Sequence, residues 1–367
     1  MQRSSLHCGL DFGTSNSTFG IARGNAPAEL LPLEDGKTTI PSSIFFDFEA
    51  DETRFGRAAI AAYVEGNDGR MMRSLKSILG SQLADEAVRI KRQVIPFLEI
   101  VGGFVGELKR RAEAAAGQSF DHVVCGRPVH FVDGNDTLDR EAEQQLRAAV
   151  TAQGFKEVSF QFEPIAAALD YEQRVTGEEI GLIVDLGGGT SDFSVVRVSP
   201  ERARAADREQ DILATAGVHV GGTDFDRLLS LASAMRRLGY QTPTLDGKRV
   251  LPSGPYADLA TWHRINRLYT PEILRELEST AREAAEPGRV ADLISIVAHR
   301  EGHRLAGAVE DAKIALTHEV RTLVEFAGAE VRLAVPVTRE RLSRALARPI
   351  ERIAETIDET LRLAGLD

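Results

Sequence analysis

The sequence predicts an α/β protein built twice over, as two lobes that each carry the same kind of polar turn. Two observations predict it. First, Asp11-Phe12-Gly13-Thr14-Ser15 and Asp185-Leu186-Gly187-Gly188-Gly189-Thr190-Ser191-Asp192 share one grammar. Each follows a short alternating apolar run and precedes another, which reads as strand, turn, strand. Second, strands precede helices along the chain and that order then recurs, fitting a duplicated unit better than one alternating sheet.

Taken in order, Leu6, Cys8, Leu10 and Phe12 alternate into the first turn, and Phe19 and Ile21 resume after it. Residues 120–125 make another strand, broken by Arg127-Pro128. Residues 139–153 and 163–173 carry helical patterns. Ile180, Leu182 and Val184 alternate into the second turn, and Phe193, Val195, Val196 and Val198 leave it. A further strand, 212–220, ends at Gly221-Gly222. Residues 36–98 read as a mixed, charged insertion, and 221–337 as a helix-rich one broken by Pro243, Pro252, Pro255 and Pro271. Across 338–364, Leu342, Leu346, Ile350, Ile353, Ile357 and Leu361 form one apolar helix face, which Pro349 should kink or divide. The expected division is lobe I over 1–176 (core 1–35 and 99–176, inserted subdomain 36–98). Lobe II covers 177–367 (core 177–220 and 338–367, inserted helical subdomain 221–337).

Bulk properties narrow the function classes. A length of 367 residues favours about two domains. With 43% apolar and 27% charged residues the composition is that of an ordinary globular protein. A formal charge of -11 argues against a nucleic-acid backbone as main partner. Cys8 and Cys125 cannot form a disulfide framework and read as core residues. No apolar stretch reaches the roughly 20 residues of a membrane helix. Asp11 interrupts the only apolar run near the N-terminus, so no signal peptide is expected. Together these predict a soluble cytoplasmic protein without a membrane partner.

The chemistry lies in the two turns. Glycine permits positive φ and lets amide N–H groups approach an anion without a Cβ in the way. Thr14, Ser15 and Thr190 add hydroxyl donors to Gly13 and to Gly187, Gly188 and Gly189. Asp11, Asp185 and Asp192 cannot face phosphate oxygens bare. They make sense with a Mg²⁺ and its waters between, since Mg²⁺ usually keeps several waters. The competing reading is two tight hairpins with capping hydroxyls. Gly36-Lys37-Thr38 imitates the end of a Walker loop, but Leu31 stands where that pattern needs glycine, so a β-turn is expected. No Gly-x-Gly-x-x-Gly follows a strand, which leaves a Rossmann site unsupported. His299 and His303 do not spell a zinc motif and read as a surface helix.

These residues carry a resemblance. The stretch from Gly9 to Ser17 resembles the first phosphate loop of the DnaK-like heat-shock chaperones, and Gly36 to Ser42 the segment after it. Glu163-Pro164-Ile165-Ala166-Ala167-Ala168 and Asp185 to Asp192 resemble the connecting helix and second phosphate loop. Gly221-Gly222-Thr223-Asp224-Phe225-Asp226 matches the next signature. Among relatives the chain looks most like the short YegD-like branch, on Leu259-Ala260-Thr261-Trp262-His263-Arg264-Ile265-Asn266. The resemblance implies the duplicated actin-like ATPase fold with ribonuclease-H-like lobes.

Carried over position by position, it implies that Asp11, Asp185 and Asp192 organise the water shell of Mg²⁺ and flanking monovalent cations such as K⁺. Thr14, Ser15, Thr190 and the amides of Gly13 and Gly187 to Gly189 would hold the β- and γ-phosphates of ATP or ADP. Lys76 matches the lysine that reaches the γ-phosphate, and Glu163 would sit near Mg²⁺ and the attacking water. Glu310, Lys313 and Thr317 match the helix touching adenosine, and their i, i+3, i+7 spacing puts them on one helix face. Lys76, Glu163, Asp185, Thr190 and Asp192 would form the catalytic set for phosphoryl transfer to water.

The resemblance also fails in places. The chain ends at Asp367, where the family continues into a third glycine-rich loop, so the second lobe is expected to be truncated. A peptide-binding domain is not expected, so peptide clamping is not carried over, although protein clients or co-chaperones remain implied partners. Phe162 stands where the family commonly has asparagine. Arg127-Pro128-Val129-His130 replaces Val-Pro-Ala-Tyr, the region that couples nucleotide to the peptide-binding domain. The resulting expectation is a slow, Mg-dependent, chaperone-like ATPase. Its rivals are a small-molecule kinase of the same fold, a non-catalytic nucleotide-gated interaction module and an actin-like filament protein.

Overall fold

The computed structural model describes residues 6–24, 28–132, 134–205 and 207–366. The first five residues, on which the reading of the N-terminus partly rests, and Asp367 lie outside them. The chain divides into two compact units. One comprises Met1–Gly187, Asp192–Gly217 and Ile357–Asp367, and the other Gly188–Ser191 and Val218–Thr356.

The first unit opens with β1 (Leu6–Phe12) and β2 (Asn16–Arg23), antiparallel from Leu6↔Arg23 to Phe12↔Ser17. β3 (Glu29–Leu30) and β4 (Thr39–Pro41) both pair with β2. Between them Glu34 and Lys37 exchange both backbone bonds, with Asp35 at φ 52° and Gly36 at φ 75°. Positive φ at both central residues is the hairpin turn that Asp-Gly favours. The β-turn expected at Gly36 is therefore there.

The inserted stretch forms a small sheet from β5 (Ser43–Asp47), β6 (Glu52–Phe55) and, after α1 (Gly56–Glu65), β7 (Gly69–Arg73). A separate hairpin follows, β8 (Ala87–Ile90) with β9 (Gln93–Pro96). Then come α2 (Phe97–Ala116), β10 (His122–Arg127), α3 (Asp136–Thr151), β11 (Glu157–Phe162) and α4 (Glu163–Glu172). β10 lies parallel to β1 and β11 parallel to β10, giving the order β11-β10-β1-β2-β3 with β4 also on β2. A parallel neighbour needs a crossover, and α3 supplies it between β10 and β11.

The core of this sheet is set by α2. Ile100, Val101, Phe104, Val105, Leu108 and Ala112 recur three or four residues apart and are all buried. Phe104 sits 6.0 Å from the Phe12 ring and 6.4 Å from Phe55. Cys8 and Cys125 are buried in the same core, as expected, and burial pushes both thiols up to about 12. At neutral pH they are inert thiols.

A second sheet follows in the order β12 (Glu179–Leu186), β13 (Ser191–Val198), β14 (Ile212–Val218). On one side Ile183, Val196, Val198 and Ile212 pack with Ile165 and Ala168 of α4. β12 is an edge strand among the described residues, and its other face is open: Ile180 is 50% exposed, Leu182 38%, Val184 47% and Leu186 55%. A buried ionic cluster ties α4 to the strands beside it. Arg208 Nη2 and Nη1 donate to the two Glu172 oxygens at 2.7 and 3.0 Å, and its Nε donates to Asp211. Arg202 donates to the other Asp211 oxygen, and Ser199 N–H to Glu172 at 3.2 Å.

The second unit begins with α5 (Gly222–Ala232), α6 (Ala234–Arg237), α7 (Gly254–Leu259), α8 (Pro271–Glu283), α9 (Pro287–Ala298) and α10 (Gly302–Ala315). Pro255 and Pro271 lie in the first turns of their helices, where the missing N–H costs nothing. One expectation needs correcting. The helix-rich insertion also holds an antiparallel hairpin, β15 (Arg321–Ala327) with β16 (Arg332–Thr338). Its alternating Val324, Phe326, Leu333, Val335 and Val337 are buried. A second correction concerns the histidines. His299 caps α9 and His303 belongs to α10, with Arg300 at φ 55° between them. His303 is not on a surface; its ring meets Trp262 edge-on at 4.8 Å and is buried.

The last pattern is split as Pro349 demanded, into α11 (Arg339–Ala345) and α12 (Ala347–Leu363). The break falls at Leu346, which lets Pro349 sit in the first turn of α12.

Candidate functional site

The first polar turn follows from β1 and β2. Asp11 is the next-to-last residue of β1, Gly13-Thr14-Ser15 form the turn, and β2 starts at Asn16. A Cβ on Gly13 would collide with the Asn16 carbonyl oxygen, so this turn requires glycine. Ser42, directly after β4, holds the turn from inside the protein. Its Oγ donates to the Gly13 carbonyl at 2.7 Å, and its N–H to the Ser15 carbonyl at 2.9 Å. The Ser17 hydroxyl lies 2.8 Å from the same Oγ. Ser42 was not singled out from the sequence. Its signal was available in the Pro41-Ser42 end of the segment that follows the turn, but a short hydroxyl residue has no chemistry that marks it in advance.

Asp185 occupies the same place in β12 that Asp11 occupies in β1, one residue before the strand ends. Both carboxylates line one cavity of about 960 Å³, together with Glu163 and Asp192. Leu30, Val124, Pro128, Ala167 and Ile183 supply apolar wall. Lys76 joins the group through Glu163: its Nζ lies 2.5 Å from Glu163 Oε1. Lys76 is carried on the single 3₁₀ turn Leu75–Ile78, entered through Ser74 at φ 56°. Glu163 is the first residue of α4 and precedes Pro164, a sequence that starts a helix and favours an acid there.

Charge is unbalanced in this cavity. Asp11 keeps contact with water, yet the surrounding protein and the charges of Glu163 and Asp185 push its carboxyl up to about 6, against the downward pull of Lys76. Several carboxylates face one ammonium, which is a setting for a cation. Among the described residues no three His, Cys, Asp or Glu side chains are grouped closely enough to chelate a metal directly. A cation held here by these carboxylates would therefore be held mainly through its waters, as Mg²⁺ commonly is.

In the second unit, the Gly188–Ser191 stretch packs on the start of α5. Thr223 Oγ1 and N–H both donate to the Gly188 carbonyl, at 2.7 and 2.8 Å. Ser191 Oγ donates to the Val220 carbonyl at 2.7 Å. A Cβ on Gly221 would lie 2.5 Å from both Gly188 C and Gly189 N, so this contact too requires glycine. Asp224 accepts from the Gly221 N–H at 3.2 Å. The Gly221-to-Asp226 signature is thus, in part, the support for the second turn.

Of the predicted adenosine residues, Glu310 and Lys313 lie on α10, but the helix ends at Ala315, so Thr317 sits in the turn beyond it rather than on the same helical face. Lys313 Nζ pairs with Asp226 Oδ1 at 2.7 Å. The structure therefore gathers Asp11, Lys76, Glu163, Asp185 and Asp192 within the first unit. Gly188, Gly189, Thr190, Glu310, Lys313 and Thr317 belong to the second.

Strand-turn-strand units carrying a carboxylate and glycine at the same place, on two sheets of one chain, define a duplicated α/β protein with two glycine-bearing turns of one type. Comparison with known families identifies it further. Residues 7–235 match the Hsp70 protein family, more than half of the chain, and the chain belongs to that family. Its fold is the duplicated actin-like ATPase fold, with a DnaK-like nucleotide-binding domain, as the motifs led us to expect. Relatives include the chaperone protein DnaK of Thermosipho melanesiensis, 31% identical over 221 residues, which are 60% of this chain and 34% of that protein. The DnaK of Thermotoga neapolitana is 31% identical over 223 residues, with the same shares. That of Thermosipho africanus is 32% identical over 221 residues, again 60% and 34%. The matched part thus spans about a third of the length of these relatives. Among the described residues no helix is long and apolar enough to cross a membrane.

Proposed function

We propose that the chain binds Mg-ATP and Mg-ADP and hydrolyses ATP slowly, as a cytoplasmic, chaperone-like ATPase of the YegD-like kind. The observation that carries this reading is Lys76 paired with Glu163, a carboxylate that lines one cavity together with Asp11, Asp185 and Asp192. Lobe I would be 1–176 and lobe II 177–367, with insertions at 36–98 and 221–337.

Each residue has a role in this reading. Asp11, Asp185 and Asp192 hold the water shell of Mg²⁺, with K⁺ as a flanking ion. When bound, Mg²⁺ neutralises charge on the β- and γ-phosphates. Thr14, Ser15, Thr190 and the amides of Gly13, Gly187, Gly188 and Gly189 donate to phosphate oxygens. Lys76 sets its ammonium toward the γ-phosphate, and Glu163, paired with it, orients the attacking water. Glu310, Lys313 and Thr317 contact adenosine, which asks Lys313 to share or leave Asp226. Protein clients or co-chaperones are the proposed partners, and a nucleic acid is not among them.

Single-turnover ATP hydrolysis tests the reading. Lys76→Ala should slow it on the order of 10²-fold, the cost of losing one preorganised donor to developing charge. An unchanged rate in the variant would remove Lys76 from the chemistry. Phosphate appearing on a sugar rather than in solution would favour the kinase of the same fold.

A further inference from the structure

Arg127 ends β10 with its guanidinium almost wholly engaged. Nη1 donates to Glu143 Oε2 at 2.5 Å, and Nη2 to Asp139 Oδ2 at 2.8 Å. Nη2 also donates to the Val129 carbonyl at 3.2 Å and Nε to the Pro128 carbonyl at 3.0 Å. Asp139 closes the ring by accepting from the Phe131 N–H at 2.5 Å. The guanidinium lies 5.2 Å from the ring centroids of both Phe131 and Phe162, and the side chain is 11% exposed. A fork held by two carboxylates and two carbonyls has little freedom left, and a ring stacked on it is fixed with it.

The sheet directs that rigidity. β10 and β11 are parallel, with Arg127 in register with Phe162. Phe162 is the last residue of β11, and Glu163 follows it as the first residue of α4. Gly126 runs close beneath: a Cβ there would meet Glu163 Cγ at 3.3 Å. The loop that Arg127 folds around itself, Pro128 to His130, is part of the cavity wall.

We propose that Arg127 is a positioning residue that acts through the Phe162 ring to fix Glu163, and with it the Lys76–Glu163 pair. Lysine could replace the charge but not the planar fork. The proposal rests on the reading of this cavity as a Mg-ATP site.

Two variants test it, Phe162→Leu, which keeps an apolar side chain and removes the ring, and Arg127→Lys. Four quantities are read on the full chain: single-turnover ATP hydrolysis, calorimetric Mg-ADP affinity, melting temperature, and amide hydrogen exchange over residues 160–165. Hydrolysis should fall on the order of 10-fold, as expected for a slightly misplaced group. Mg-ADP affinity should hold, and with it the melting temperature of Phe162→Leu, because the γ-phosphate end alone is disturbed, and exchange over 160–165 should speed up. Rates within about two-fold of wild type, or a loss of ADP affinity in step with melting temperature, overturn the proposal. If the wild-type chain hydrolyses nothing, the ATPase reading fails by itself. Exchange over 160–165 then decides: faster in the variants supports the positioning role, and unchanged exchange overturns it.

Discussion

Asp11 holds its proton to about pH 6 in the folded chain, against 3.8 in the absence of its surroundings. A folded-state value raised in this way contributes stability that is fully present below pH 3.8 and is lost as pH rises through about 6. The carboxylate can serve a cation only after the proton leaves. Mg-ADP binding should therefore weaken as pH falls below about 6 and release a proton when measured at pH 5.5. Calorimetry in two buffers of different ionisation enthalpy reads that proton directly, and Asp11→Asn should abolish its release. Binding that is flat across this range would remove Asp11 from the cation site. The sequence pointed to Asp11 because a carboxylate beside a phosphate turn needs a metal to make sense. It could not point to Ser42, whose part is to hold the Gly13 and Ser15 carbonyls from behind. Tyr256 is a contrasting residue. Its hydroxyl is buried without a hydrogen-bond partner among the described residues. Tyr256→Phe should raise unfolding stability by about 1 kcal/mol, since a buried unsatisfied group costs roughly that much. Urea denaturation checks it, with an unchanged slope expected.

Elements were legible where one face is buried against one neighbour. β1, β2 and α3 carry clean periods because each has a polar and an apolar side, and the chemistry of the first turn could be placed between the two strands in advance. The hairpin of β15 and β16 was missed, although its apolar residues alternate, because it follows directly on the helix α10 that covers it and lies within a helical surround. The Arg208 cluster was invisible because Glu172, buried with it, comes from a helix 36 residues away, although Arg202 and Asp211 lie close by in sequence. Arg208→Met should destabilise the chain by about 3–5 kcal/mol, because it leaves Glu172 and Asp211 buried without their cation. Adding Glu172→Leu and Asp211→Leu should recover most of that loss, read by the same denaturation. Additive damage in the triple variant would mean that the cluster stabilises by more than mutual neutralisation.

At the scale of the whole molecule, duplication was the most legible feature, because two turns of one type can be recognised without any knowledge of packing. It recurs in the structure as Asp11 and Asp185 at the same place on the first strand of each sheet. What the sequence could not convey is how far the two turns differ in their support. Ser42 and a neighbouring strand hold the first, whereas Thr223 and the start of α5 hold the second. The open face of β12, with four large apolar side chains exposed, has no counterpart in the sequence reading. Calorimetric titration of Mg-ADP and Mg-ATP into the full chain, beside Asp185→Ala, tests the central claim most directly. Micromolar or tighter binding that is lost in the variant is the predicted result. A folded wild-type chain that binds neither nucleotide would contradict it.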